Sequence, residues 1–166
     1  DANSIILRMD STGRITFFNE FAQTFFGYPA EEVLGQNVVG TIVPEHDSAG
    51  VDLRALIADL GVRPERYLTS ENENMRRDGS RVWISWTNRP VYDPAGHLIG
   101  LLCVGNDVTG RREASEALGR ERERLESVIS GSRLGTWEWN VQTGELVVNE
   151  TWARQLGRTL AELAPC

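Results

Sequence analysis

Lysine is absent from this chain: all 17 basic residues are arginine, a bias of composition more than a feature of chemistry. Acidic residues outnumber them at 24, and the net charge of −7 sets long-range repulsion against any phosphate backbone. No arginine run is interleaved with aromatics, so no nucleic-acid partner is expected. Cysteine is scarce too. Cys103 falls in a predicted buried strand and Cys166 is the last residue; this argues against a disulfide framework and fits a reducing, cytoplasmic compartment. No apolar run approaches the roughly 18 residues of a membrane span and no signal peptide is visible, so no membrane contact by these residues is expected. The two histidines, His46 and His97, stand near no Ser or Cys in a triad-like arrangement. Walker, Gly-x-Gly-x-x-Gly, Cys-x-x-Cys and His-Glu-x-x-His patterns are missing. Neither a metal site nor a catalytic constellation is expected. What remains is ordinary globular composition: 166 residues, 40% apolar and 25% charged, enough for one domain and a second only if small.

The pattern is clearest from Arg76 to Thr109. Val82, Ile84 and Trp86 alternate with Arg81, Trp83 and Ser85, the period of two of a strand. Asp93-Pro94-Ala95-Gly96 is turn chemistry, and residues 97–104 are nearly all apolar. Arg77-Asp78-Gly79-Ser80 marks an earlier turn and implies a strand over 67–75. At the front, residues 4–9 and 14–19 flank the Asp10–Gly13 turn as a hairpin. Asn19 is a candidate N-cap for a helix with Phe21, Ala22, Phe25 and Phe26 on one face, ended by Gly27. Residues 29–34 read as a second short helix. Leu53, Leu56, Ile57 and Leu60 are at helical spacing within a predicted helix over 49–60, which Gly61-Val62-Arg63-Pro64 should break. Five antiparallel strands with helices on one face make an α+β arrangement.

Five segments in order resemble a PAS domain: Asp10-Ser11-Thr12-Gly13-Arg14-Ile15 through Asn19; Phe25-Phe26-Gly27-Tyr28; Glu31-Glu32-Val33-Leu34-Gly35; Val43-Pro44-Glu45-His46-Asp47, with His46 interposed; and Arg76-Arg77-Asp78-Gly79-Ser80-Arg81-Val82-Trp83 running to Asp107-Val108-Thr109. The match covers residues 3–110. The resemblance implies a sheet in the order 2-1-5-4-3, helices over its concave face and a C-terminal signalling helix. It also implies a sensor domain over 1–110 of a bacterial multidomain signalling protein, relaying to an output domain of histidine kinase or diguanylate cyclase type. The flavin-binding branch of the family carries a Gly-x-Asn-Cys-Arg-Phe motif, which is missing here. Haem needs an axial ligand, and the 49–60 helix has no histidine. Flavin and haem are therefore not expected, and the cofactor is otherwise unassigned.

In the register that the resemblance implies, Asn72, Asn74, Val82, Ile84, Trp86 and Asn88 face inward, joined by Ile99, Leu101, Cys103 and Gly105. Leu53, Leu56 and Ile57 cover them. An unpaired buried amide costs about 1–3 kcal/mol, so three amides in an apolar cavity call for a small-molecule ligand or trapped water. The pocket candidates are Asn72, Asn74, Ile84, Trp86, Asn88, Leu56, Ile57, Leu101 and Cys103. A slip of one residue would turn the amides to solvent and put Trp83 inside. Asp107 and Thr109, where the last strand meets the following helix, are the candidate signal relay; the plain alternative is a helix cap by Thr109. Three functions stay open: a sensor that binds a small molecule and relays the change, a ligand-free module for dimerisation and protein interaction, and a redox or light sensor with haem or flavin, which would be coloured.

Residues 111–130 are rich in Arg and Glu, with Ala114, Leu118, Leu125 and Val128 at heptad a and d spacing. This predicts a coiled-coil linker and a homodimer; a merely solvated helix is the alternative. Residues 131–166 then repeat the opening of the chain. Thr143-Gly144 through Asn149-Glu150 echoes Thr12-Gly13 through Asn19-Glu20, and Leu156-Gly157 stands 130 positions after Phe26-Gly27. The expectation is the truncated N-terminal part of a second PAS domain, unable to bury Trp137, Trp139 and Trp152 alone.

Overall fold

The computed structural model describes residues 3–131 and 134–163, so Cys166 lies outside the described residues. The chain divides into two units, residues 1–112 and 113–166.

In the first unit a hairpin of β1 (Ile5–Met9) and β2 (Ile15–Phe18) is turned by Asp10. The Asp10 carboxylate accepts bonds from the Thr12 amide and hydroxyl and from the Arg14 amide at 2.7–3.0 Å. Asn19 caps α1 (Glu20–Phe26) by accepting from the Ala22 amide, and Gly27 closes it with φ 80°, a value glycine takes without steric cost. The four-residue α2 (Ala30–Val33) follows.

Helix α3 (Leu53–Val62) differs from the expected 49–60 at both ends. Residues 49–51 belong to a turn instead, because Asp47 Oδ1 takes the Ala49 and Val51 amides at 2.9 and 2.8 Å, and Asp52 caps the helix at Arg54 and Ala55. Gly61 does not break the helix. It is buried in the last turn, where a Cβ would run into the Ser11 carbonyl; the glycine serves close approach. A 3-10 turn (Pro64–Tyr67) then delays β3 (Thr69–Met75), which starts two residues later than predicted.

With β4 (Arg81–Tyr92) and β5 (Leu98–Asp107) the sheet is antiparallel in the order β2-β1-β5-β4-β3. Helices α1, α2 and α3 cover one face, and the core between them holds Ile5, Phe18, Phe26, Val82, Ile84 and Leu101. Expected to face inward, Ile99 is instead 54% exposed. It lies past the last β1–β5 pair, Met9–Leu101, and beside the register shift at Val91/Tyr92, outside the alternation that turns Leu101 and Cys103 inward.

Helix α4 (Thr109–Gly131) leaves the sheet directly after β5. In the second unit β6 (Trp137–Trp139) pairs with β7 (Leu146–Val148), and α5 (Glu150–Gln155) and α6 (Leu160–Leu163) follow. Its hydrogen bonds copy the first unit at an offset of 130. Asn19 accepts from the Ile6 and Ala22 amides and donates to the Ser4 carbonyl; Asn149 accepts from the Thr136 and Trp152 amides and donates to the Leu134 carbonyl. Gly157, like Gly27, has positive φ. Trp137 and Trp139 occupy the places of Leu7 and Met9 but are 61% and 57% exposed, whereas Leu7 and Met9 are buried.

Candidate functional site: a core cavity and the junction behind it

Strand alternation on β3 and β4 sends Asn72, Asn74, Val82, Ile84, Trp86 and Asn88 to the buried face. Trp83 is half-buried on the other face; the one-residue slip does not occur. Gly105, opposite Trp86 in the ladder, makes room for the indole: a Cβ there would stand 2.7 Å from the ring.

Between α3 and the sheet lies a cavity walled by Leu7, Met9, Leu56, Ile57, Leu60, Ser70, Asn72, Trp86, Asn88 and Cys103, together with Val38, Ile42 and Val43. The centre of a water-sized sphere can range over about 30 Å³ within it, room for about two waters at 10–15 Å³ each. Of the nine sequence candidates, six reach this wall. Asn74, Ile84 and Leu101 are buried in the packed core instead, Asn74 bonded to the Trp86 indole and the Ile42 carbonyl and the other two within the apolar cluster. The walls supplied by β1 and residues 38–43 were missed, as was Ser70; only long-range packing brings them there.

Asn72 and Asn74 form a network with the Trp86 indole, and Asn88 is bonded separately. Asn74 Oδ1 accepts from Trp86 Nε1 and Asn72 Nδ2, both at 3.2 Å, and Asn74 Nδ2 donates to the Ile42 carbonyl at 3.1 Å. Asn88 Nδ2 donates to the Tyr67 carbonyl at 2.7 Å and to Ser70 Oγ at 3.3 Å. Burial pushes the Cys103 thiol up to about 12, so it stays protonated and behaves as a small apolar group. The cavity is roofed by α3, and the approach to α3 is pinned by Glu73. This 2%-exposed carboxylate accepts from the Ser48 amide and hydroxyl at 2.9 and 2.7 Å and pairs with Arg81 at 3.2 Å.

The other end of β4 carries the junction to α4. Thr109 does not cap its own helix through its side chain. Its hydroxyl donates to Asp107 Oδ1 at 2.6 Å and accepts the Trp83 amide at 2.8 Å, while the Thr109 amide also donates to Asp107 at 2.9 Å. Asp107 faces Arg76 at 3.8 Å. On β3, Glu71 binds Arg111 and Arg112 at 2.8 and 3.4 Å, and the Arg112 guanidinium lies 3.7 Å from the Trp83 ring centroid. Sequence reading singled out Asp107 and Thr109 but not Glu71 or Trp83, whose partners lie 26–41 positions away. His97 is 79% exposed in the β4–β5 turn and His46 is exposed. Among the described residues no group of His, Cys, Asp and Glu could hold a metal ion.

The model of one family, the PAS fold, matches residues 1–108. The chain belongs to the PAS family. Two-component system protein A of Emericella nidulans is 34% identical to it over 113 residues, 68% of this chain and 16% of that protein. A blue-light-activated histidine kinase of Brucella anthropi is 25% identical over 156 residues, 87% of this chain and 31% of that one. The chain thus spans less than a third of either relative. Among solved structures, the PAS domain of a Colwellia psychrerythraea protein superposes with a TM-score of 0.55 at 24% identity, covering 66% of this chain and 89% of that one. This PAS domain is a sensory module of the kind found in signal-transduction proteins. Among the described residues no helix is long and apolar enough to cross a membrane.

Proposed function

We propose that this PAS domain senses a small molecule in its core cavity and relays the change through α4 to a downstream output domain. The observation that carries the reading is the double use of β4. The Trp86 side chain forms a wall of the cavity, and three positions earlier the Trp83 amide holds Thr109, the first residue of α4. A ligand that moves Trp86 moves the strand on which α4 is anchored, a two-state element that two sites can bias. β3 adds a second line, with Asn72 on the cavity and Glu71 on Arg111 and Arg112.

In this reading α4 pairs with a second copy through Ala114, Leu118, Leu125 and Val128; the last three are 72%, 54% and 57% exposed in the single chain. The repeated hydrogen bonds around Asn149 support taking the second unit as the opening of another PAS domain, after a 1–110 sensor and a 111–130 linker. The module itself is non-catalytic and cytoplasmic, and the output enzyme, of histidine kinase or diguanylate cyclase type, lies elsewhere in the parent. One observation favours the second reading, a ligand-free dimerisation module: room for about two waters is far below the several hundred Å³ of ordinary ligand pockets, so sensing requires α3 to yield.

The experiment is site-resolved amide exchange in the wild type and in Trp86→Phe. Faster exchange at Trp83 and Arg112 in the variant supports the relay; unchanged protection there sinks it. Sedimentation of Leu118→Asp/Leu125→Asp beside the wild type tests the dimer, which the pair should dissociate.

A further inference from the structure

The amides of the cavity are not all satisfied by one another, and the pattern of what is left defines the chemistry of an occupant. Asn72 is 5% exposed and Asn88 2%. Each commits its Nδ2 to protein acceptors: Asn72 to the Glu73 carbonyl and Asn74 Oδ1, Asn88 to the Tyr67 carbonyl and Ser70 Oγ. Those bonds fix which way each amide is turned. They leave the Oδ1 atoms of Asn72 and Asn88, two residues that line the cavity, with no hydrogen-bond donor among the described residues. The third amide has no such surplus, since Asn74 Oδ1 already takes two donors. None of the described residues on the wall is ionisable at neutral pH, so a charge entering this space would meet no counter-ion and would be strongly disfavoured.

We propose that the occupant is a neutral, largely apolar small molecule bearing hydroxyl or N–H donors, which are received by Asn72 Oδ1 and Asn88 Oδ1. The inference rests on the sensory reading above. It adds what that reading leaves open: carboxylates and phosphates are excluded, and molecules of equal shape are ranked by the donors they carry. Leu56 and Ile57 of α3 supply the apolar cover and, being only half-buried, are the side chains that give way.

The test uses three probes of similar shape: toluene, benzyl alcohol and benzoate. Each is titrated into the whole chain and followed by the amide and Trp86 indole N–H resonances. Benzyl alcohol should bind roughly tenfold more tightly than toluene, the worth of one desolvated hydrogen bond, and at least tenfold more tightly than benzoate. In the double variant Asn72→Leu/Asn88→Leu the alcohol should lose its advantage over toluene, whose own affinity should stay the same. Equal binding of toluene and benzyl alcohol, or binding of benzoate as tight as the alcohol, overturns the donor rule while leaving the cavity a binding site. No response to any of the three overturns the sensory reading itself. The wild-type ratio of the two neutral probes decides even where a leucine variant fails to fold.

Discussion

Asn74 is the hub of the buried amides, and replacing it measures how much of the core depends on polar geometry. In Asn74→Leu the groups affected fare differently. The Ile42 carbonyl loses Asn74 Nδ2 but keeps the Met75 amide at 2.8 Å. Asn72 Nδ2 loses one acceptor and keeps the Glu73 carbonyl. Trp86 Nε1 loses its acceptor altogether at a site 7% exposed. One orphaned donor costs about 1–3 kcal/mol and each of the two shared bonds about 0.5 kcal/mol more, so the loss should be about 2–4 kcal/mol. That is a large share of a domain's stability. Trp86→Phe removes the orphaned donor itself, so the two changes should not add: the double variant should be about 1–3 kcal/mol more stable than the sum of the singles predicts. The assay is urea unfolding followed by far-UV circular dichroism for the four proteins of the cycle. Additivity within about 0.5 kcal/mol would refute the claim that Asn74 acts through the indole N–H.

Three further outcomes follow from the same contacts. Thr109→Val keeps the shape and deletes the acceptor, so the Trp83 amide should exchange faster by roughly tenfold, the worth of one hydrogen bond; amide hydrogen exchange checks it. Acid should weaken the fold through its turn aspartates. Burial raises Asp10 but is outweighed by bonds from the Thr12 hydroxyl and the Arg14 and Thr12 amides, and Asp78 is lowered first by the Ser80 hydroxyl. A folded value below the unfolded one gives stability that is full above about pH 4 and fades as pH falls through the depressed values; urea midpoints at pH 7 and 3 should show the drop, and Asp10→Asn should reduce it. Cys103, protonated and buried, should react with a thiol reagent at neutral pH only as fast as the unit opens, checked by mass-resolved labelling in a Cys166→Ser background.

What the sequence made legible and what it hid divide along the range of the interactions. The alternation of Val82, Ile84 and Trp86, the Asn19 cap and the Gly27 stop are local physics, and the fold followed from them together with the family resemblance. The errors at α3 were also local in origin: the side chains of Asp47 and Asp52 seize nearby amides and hold residues 49–51 out of the helix, and Gly61 looks like a breaker until Ser11 is placed against it. The inward asparagines could be named, but not which of them reach the cavity. Glu71 and Glu73 were invisible for another reason. Alternating with asparagines, they read as the wet side of a strand, and only the fold puts α4 beside one and Ser48 beside the other.

The junction between sensor and helix is keyed to a main-chain group. Thr109 grips the Trp83 amide, and every residue except proline offers the same N–H. Cavity side chains can thus change what is detected while the group that α4 grips stays chemically the same. A lineage of such modules can diversify its inputs while inheriting one output coupling, and the exchange the coupling itself forbids at position 83 is to proline.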